Sequence, residues 1–408
     1  MIELKDVLAA REVIKGTARN TPLKRSTTLS ESTGADFYLK LENFQRTGSF
    51  KVRGAVNKMN SLTQEEREKG VVAASAGNHA QGTAFAATRV GVRSDIFMPV
   101  DAPHAKVAAT KGYGAVVHLV GKDYQEAYEA ALAFQAQNGS TFVHAYDDEY
   151  IMAGQGTLGL ELVEELPDVQ TVLVPIGGGG LMAGVATVLK AHNPNIRIIG
   201  VQAEGASTIA DSLIKGEVVP IEEVNTIADG IACRYLGKKP FAVMKELVDE
   251  VVTVSESEIA AAILFLLERT KVTVEGAGAV TLAAAMHKKV DLQGQTACAV
   301  ISGGNIDITL VSRIIQQGLV KEGRVATIQA FIKDKPGAIA SLLNLLAAEK
   351  ANVLDVRHSR YRTDLQLHQT AVVVEAETQG PEHIAHLRQA LADAGYKASV
   401  KGISGPTL

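Results

Sequence analysis

Short β-branched runs alternate with longer Ala-rich stretches of helical period through most of the chain. That alternation is the one parallel strands make when crossover helices join them, so the fold class is α/β. Strands are predicted at 70–74, 94–98, 115–120, 169–175, 196–203 and 296–302. Several run straight into Gly-, Ser- or Asn-containing turns, and ligands collect at such carboxyl ends of an open parallel sheet. The pattern changes near Gly323. After it come a strand at 324–332, a helix at 336–349, strands at 352–361 and 368–377, a helix at 381–394 and a strand at 396–401. That order is βαββαβ within about 80 residues, a ferredoxin-like module. No tandem repeat or low-complexity linker separates the two regions, which predicts one part at 1–322 and a second domain at 324–408. The uncharged stretch 169–189 is long enough to raise a membrane question, but Pro175 and the glycines Gly177 to Gly180 break it. It reads as strand, glycine loop and helix.

Composition narrows the function classes. The 408 residues are 46% apolar and 21% charged, enough to bury several cores. A net charge of −4, 5% aromatics and no Trp leave no footprint for nucleic acid or an anionic membrane. Two cysteines, Cys233 and Cys298, lie far apart, so buried thiols are expected rather than a disulfide framework or a zinc ribbon, and no metal site is expected. Charges at Glu3, Lys5, Asp6, Arg11 and Glu12 interrupt any signal-peptide core, which makes the cytoplasm the expected compartment.

Four segments could carry chemistry. The first is KLENFQRTGSFKVRGA at 40–55, in which Ser49 can cap a helix with Lys51 in its first turn. A helix N-terminus disfavours an ammonium, and a neutral amine is a nucleophile. A surface lysine is the plainer reading. The second is VVAASAGNHAQG at 71–82, where small residues between strand and helix leave backbone N–H groups at Ser75 to His79 as a cradle for a carboxylate or phosphate. An ordinary strand-to-helix turn is as good a reading of that segment alone. The third is VLVPIGGGGL at 172–181, whose glycines let amides approach a phosphate. Gly178, Gly180 and Ala183 also satisfy the dinucleotide fingerprint, with Glu204 where a ribose-binding acid would sit, so a nicotinamide oxidoreductase stays in competition. The fourth is ISGGN at 301–305, where Ser302 offers a neutral hydroxyl or a plain helix cap.

Together and in this order, the segments resemble the fold-type II pyridoxal-phosphate (PLP) enzymes, and more closely the threonine dehydratases. ADGIA at 228–232 and VEGAGA at 274–279 add to the match. The resemblance implies two Rossmann-like subdomains of the tryptophan synthase β-like class, the smaller at about 42–149, and a C-terminal ACT domain. It implies that Lys51 forms the Schiff base, that Phe50 and Asn78 flank the cofactor ring, with Asn78 at its hydroxyl, and that Ser302 meets the ring nitrogen. Gly177, Gly178, Gly179, Gly180 and Leu181 would hold the phosphate. Ser75, Ala76, Gly77, Asn78 and His79 would bind the substrate carboxylate, with Ser75 also carried as catalytic, and Gly230 and Glu275 lie nearby. The reaction implied is β-elimination of water from L-threonine to give 2-oxobutanoate and ammonia, with L-serine giving pyruvate, and in this family the cofactor phosphate is the usual acid for the departing oxygen. Relatives that racemise serine carry a second Ser where this chain has Ala76. Those relatives also bind a cation beside the segment matching 202–211, where this chain has Ala210 in place of a second carboxylate. In the C-terminal module, Asp334, Pro336 and Gly337 of the first strand-to-helix turn, with Asn352 on the following strand, would face an amino-acid effector at a contact between two modules. A homodimer or homotetramer is expected. A non-catalytic amino-acid sensor is the third reading, and Lys51 speaks against it, because a sensor needs no buried amine.

Overall fold

The computed structural model describes residues 1–361 and 365–401. Residues 402–408, which the sequence assigns to the C-terminal module, lie outside the described residues. The chain divides into two compact units, Met1–Asp307 and Ile308–Leu408. The division falls ahead of the helix Ile308–Lys321 rather than after it.

The first unit opens with β1 (Leu23–Arg25) and β2 (Asp36–Leu41), which pair antiparallel. The chain then builds a small sheet from β3 (Val71–Ala74), β4 (Ser94–Met98), β5 (Val116–Leu119) and β6 (Thr141–Phe142). All its pairs are parallel, in the order β5-β4-β3-β6. β3 and β4 are buried along their whole length, as strands covered on both faces must be. Afterwards the chain adds β7 (Thr171–Pro175), β8 (Arg197–Ala203), β9 (Glu250–Val254) and β10 (Thr296–Ile301) to the first pair. The large sheet runs β1-β2-β10-β7-β8-β9. β10 therefore lies between β2 and β7, parallel to both, and sets the loops that follow these three strands side by side. Each sheet has its own core: Val172, Val174, Met182 and Val300 belong to one, and Val71, Ala73, Ile96 and Met98 to the other. The small sheet is wholly parallel and the large one is parallel except for its edge strand β1, with helical crossovers as the alternation predicts.

The stretch 169–189 is β7, a glycine turn and the helix Gly180–His192. No helix among the described residues is long and apolar enough to cross a membrane.

The second unit carries β11 (Val325–Lys333), β12 (Asn352–Ser359), β13 (Gln369–Glu377) and β14 (Lys397–Lys401) in one antiparallel sheet of order β12-β13-β11-β14. The helices Ala338–Ala348 and Pro381–Asp393 contribute Leu342, Leu346, Leu387 and Leu391 to the core that this sheet also lines with Ile328 and Val374. It is the predicted βαββαβ ferredoxin-like, ACT-like domain.

Candidate active site

Lys51 is the first residue of the helix Lys51–Asn60. Ser49 does not cap it, contrary to the sequence expectation. Phe50 occupies the N-cap position, and Ser49 is instead drawn into a bridge with Gly303, its Oγ buried with no hydrogen-bond partner among the described residues. The Phe50 N–H donates to the Ser302 carbonyl at 3.1 Å and the Gly304 N–H to the Gly48 carbonyl at 2.9 Å. These contacts pin the start of the helix to the turn after β10. The Lys51 amine donates to the Ala145 carbonyl at 2.9 Å. Its pKa is pushed down to about 8, by burial first, with Cys233 and Glu275 pulling it back up. The depression read from the sequence is present, and desolvation is its leading cause.

The far side of the same helix is held by charge. Arg53 is buried and donates to both oxygens of buried Glu42 at 2.8 Å, and to Glu161 Oε1 at 2.6 Å. Lys40, also buried, reaches Glu161 at 3.0 Å and Glu165 at 2.9 Å. A β-carbon at Gly54 would come within 2.7 Å of the Ile151 carbonyl, so the glycine lets the helix Glu149–Glu165 pack tightly across it. The charged motif around Lys51 thus acts as a clamp between β2 and two helices.

Between β3 and the helix Asn78–Arg89, the Ser75 Oγ accepts from the Gly77 N–H at 3.2 Å. The N–H groups of Asn78 and His79 open the helix with no acceptor inside it, at the positive end of its dipole. His79 turns away from the chemistry: its Nε2–H donates to the Val143 carbonyl at 2.8 Å. Burial, reinforced by Lys51, pushes that imidazole down to about 3, so it is neutral.

The glycine turn after β7 is compact because nothing larger fits. A β-carbon at Gly178 would lie 2.3 Å from the Tyr146 ring, and one at Gly179, where φ is +93°, would lie 2.6 Å from Met244 Cε. After β10, buried Ser302 donates its hydroxyl to the Ala277 carbonyl at 3.3 Å. Glu275 is buried and accepts from Asn78 Nδ2 at 2.6 Å. Burial and the charge of Asp229 push its carboxyl up to about 7. A β-carbon at Gly230 would sit 3.3 Å from the same carboxylate.

These pieces meet around one cavity of about 490 Å³, walled by Lys51, Ser75 to His79, Gly230 and Glu275. A narrower recess beside it is lined by Phe50, Lys51, Asn78, Gly177 to Gly180, Leu181 and Ser302. The sequence-predicted site residues of the first unit therefore converge. Those of the second unit do not all converge within one module. Asp334 accepts from Arg360 Nε at 2.8 Å beside the turn, where Pro336 precedes Gly337 at φ +82°. Asn352 instead pairs across the sheet with Glu377, which faces the start of β11, and donates to that carboxylate at 2.7 Å. At about 3.3 Å per residue, the length of β11 puts Asn352 roughly 25 Å from the turn.

Other cavity residues have no motif to announce them. Tyr124, Tyr146 and Tyr235 form an aromatic wall, and Cys233 lines the cavity as a thiol that burial holds protonated. Lys106 and Asp229 form an ion pair at the cavity wall. The ADGIA segment contains Asp229 and leads into Cys233, which was the available signal.

The recess fits pyridoxal phosphate on its own chemistry. It holds an amine that can lose its proton, a turn of four glycines opening a helix, a neutral buried hydroxyl and an amide donor, all on one small cavity. The family model for pyridoxal-phosphate dependent enzymes matches residues 14–303. An L-threonine ammonia-lyase of Thermotoga maritima is 47% identical over 402 residues, 98% of this chain and 100% of that protein. One of Geobacter sulfurreducens is 48% identical over 392 residues, 96% of this chain and 97% of that protein. The solved processed form of threonine deaminase isoform 2 from Solanum lycopersicum superposes with a TM-score of 0.73 at 39% identity, covering 77% of this chain and 91% of its own. With the cofactor thereby identified, the nicotinamide reading of the glycine turn falls away, and the chain belongs to the fold-type II pyridoxal-phosphate dependent enzymes.

Proposed function

We propose that the chain is an L-threonine ammonia-lyase, converting L-threonine to 2-oxobutanoate and ammonia, with L-serine as a second substrate giving pyruvate. The convergence of the Lys51 amine, the Ser75 to His79 turn and the glycine turn on one cavity carries this reading. Near-full-length identity to L-threonine ammonia-lyases supports the choice of substrate.

Lys51 and Ser302 would hold the cofactor ring, and Gly177 to Gly180 its phosphate. Pyridoxal phosphate, when bound, supplies the electron sink that makes the substrate Cα proton removable. The chain's own groups do the rest. The N–H groups at Asn78 and His79 orient the substrate carboxylate at the helix N-terminus. Lys51 takes the Cα proton, a task suited to an amine whose pKa lies near the working pH. The Ser302 hydroxyl, which donates to the Ala277 carbonyl, would offer the ring nitrogen a neutral partner rather than a charged one. Overall the Cα proton and the Cβ hydroxyl leave as water, and the enamine that is released tautomerises and takes up water to give the 2-oxo acid and ammonia.

In the same reading the second unit binds an amino-acid effector. The turn at Asp334 to Gly337 spends the Asp334 and Lys335 N–H groups on the His368 and Lys333 carbonyls but leads into the helix start at Ala338, where first-turn N–H groups can meet a carboxylate, and the distance to Asn352 means that a site using both the turn and Asn352 needs two modules from a dimer or tetramer. The decisive experiment is 2-oxo acid formation from L-threonine and L-serine. Wild-type protein should turn over both, and Lys51→Ala should lose turnover while keeping its fold. Full activity in that variant would overturn the assignment.

A further inference from the structure

Asn305, at the end of the turn after β10, lines neither cavity, yet it is tied to the site at three points. Its Nδ2 donates to Asn78 Oδ1 at 2.7 Å and to the Thr47 carbonyl at 2.8 Å. Its backbone N–H donates to the Glu275 carboxylate, and that carboxylate in turn accepts from Asn78 Nδ2 at 2.6 Å. Asn305, Asn78 and Glu275 thus close a circuit of hydrogen bonds. The circuit depends on Gly48, whose φ is +74° and where a β-carbon would lie 2.4 Å from Asn305 Oδ1.

The circuit fixes which way the Asn78 amide faces. Turning that amide over would set its oxygen against the Glu275 carboxylate and its NH₂ against the NH₂ of Asn305, replacing two hydrogen bonds with two repulsions. In the orientation held, the carbonyl oxygen is taken by Asn305 and one N–H by Glu275. The second N–H is what Asn78 has left to offer the recess.

We propose that Asn305 is a positioning residue for the cofactor: by occupying the Asn78 carbonyl it makes Asn78 purely a donor toward the ring oxygen, and so sets the electronic state of the ring. The proposal rests on the reading of Asn78 as a cofactor contact. It names a residue that touches neither cofactor nor substrate.

The test compares the holoenzymes of wild type, Asn305→Asp, Asn305→Ser, Asn78→Ala and the Asn78→Ala/Asn305→Asp pair. The ratio of the visible to the near-ultraviolet absorption band of the bound cofactor is read at one pH. Cofactor retention is read by dialysis. In Asn305→Asp an acceptor replaces the donor, so the band ratio should shift and retention should weaken about tenfold, the worth of roughly one hydrogen bond. Asn305→Ser, which keeps one donor, should fall between. The double variant should match Asn78→Ala alone, because Asn305 acts through Asn78. Borohydride reduction and peptide mapping then separate the two levels of the argument. Wild-type protein without cofactor on Lys51 would defeat the functional reading. Cofactor on Lys51 together with a wild-type spectrum and retention in Asn305→Asp, or additive effects in the double variant, would overturn the positioning role. Failure of both Asn305 variants to fold would likewise overturn it, by making the residue structural.

Discussion

Lys51 carries a cost as well as a function. Burial pushes its amine down to about 8, so between that value and the ordinary lysine range the folded protein binds fewer protons than the unfolded chain. Stability from this group therefore rises with pH through that window, and the full penalty applies below about 8. Lys51→Met should stabilise the apoprotein at neutral pH by about 1–2 kcal/mol, a figure reduced for partial exposure and for the lost bond to the Ala145 carbonyl. Thermal melts of cofactor-free wild type and variant check it, and a variant that melts lower would show that the amine holds the site together. Ala76 makes a second prediction. It lines the cavity in the Ser75 to His79 turn and carries no hydroxyl. Proton delivery to the face of Cα opposite Lys51 then lacks the hydroxyl that a serine at position 76 would add beside Ser75, so L-serine should give pyruvate with negligible D-serine. Ala76→Ser should raise the racemised fraction, as chiral chromatography would measure. D-serine formed by the wild type as fast as pyruvate would contradict the argument.

The helix that begins with Lys51 is placed by the ion cluster on its other side. Burial raises the Glu42 carboxyl, but Arg53, Thr21 and Lys40 outweigh it and hold the pKa below the usual range. Its contribution is full above the unfolded-state pKa and disappears as pH falls through the lowered one, so the cluster is an acid-labile fastening. Arg53→Leu would leave buried Glu42 without its ion-pair partner, with half-buried Glu161 keeping only Lys40, and should cost about 3–5 kcal/mol in urea denaturation at neutral pH, with the sensitivity to acid reduced. A loss below about 1 kcal/mol would mean that water or Lys40 already screens the pair. This cluster also marks the limit of the sequence reading. The spacing of Lys40, Glu42 and Arg53 was visible as a motif, but Glu161 and Glu165 stand 108 and 125 residues from their partners, and no local period reports such a pairing. β2 escaped notice because charged Asp36 and Lys40 bound and interrupt its apolar run, and β6 because it is two residues long. Ser49 looked like a cap because its neighbours do, and only the bridge to Gly303 shows where its backbone goes. By contrast, strands that run into glycine were plain, since a buried parallel strand and a turn that excludes side chains both leave strong local marks.

At the scale of the whole molecule, the two units were legible for the same reason: crossover helices and antiparallel strands impose different periods on the chain. The second unit makes the remaining prediction. A β-carbon at Gly337 would meet nothing within 4 Å, so Gly337→Asp strains the backbone locally at φ +82° without a clash, while setting a carboxylate where an amino-acid effector's own would bind. Any response to amino-acid effectors should disappear with basal turnover nearly unchanged, and kinetics across an effector panel would show it. A variant that responds like wild type would confine the domain to a structural role. In the first unit, β10 is the last strand to be made and yet lies between β2 and β7. On the ribosome, those two strands emerge with facing edges that have no neighbour, and at about 5–20 residues per second the gap lasts on the order of ten seconds. Until it closes, the turn carrying Ser302 and Asn305 does not exist, and the start of the Lys51 helix has nothing to be pinned against. Vitamin capture therefore cannot precede the emergence of β10 and its turn, about three quarters of the way through synthesis, and the nascent chain passes through an interval in which two strand edges are exposed.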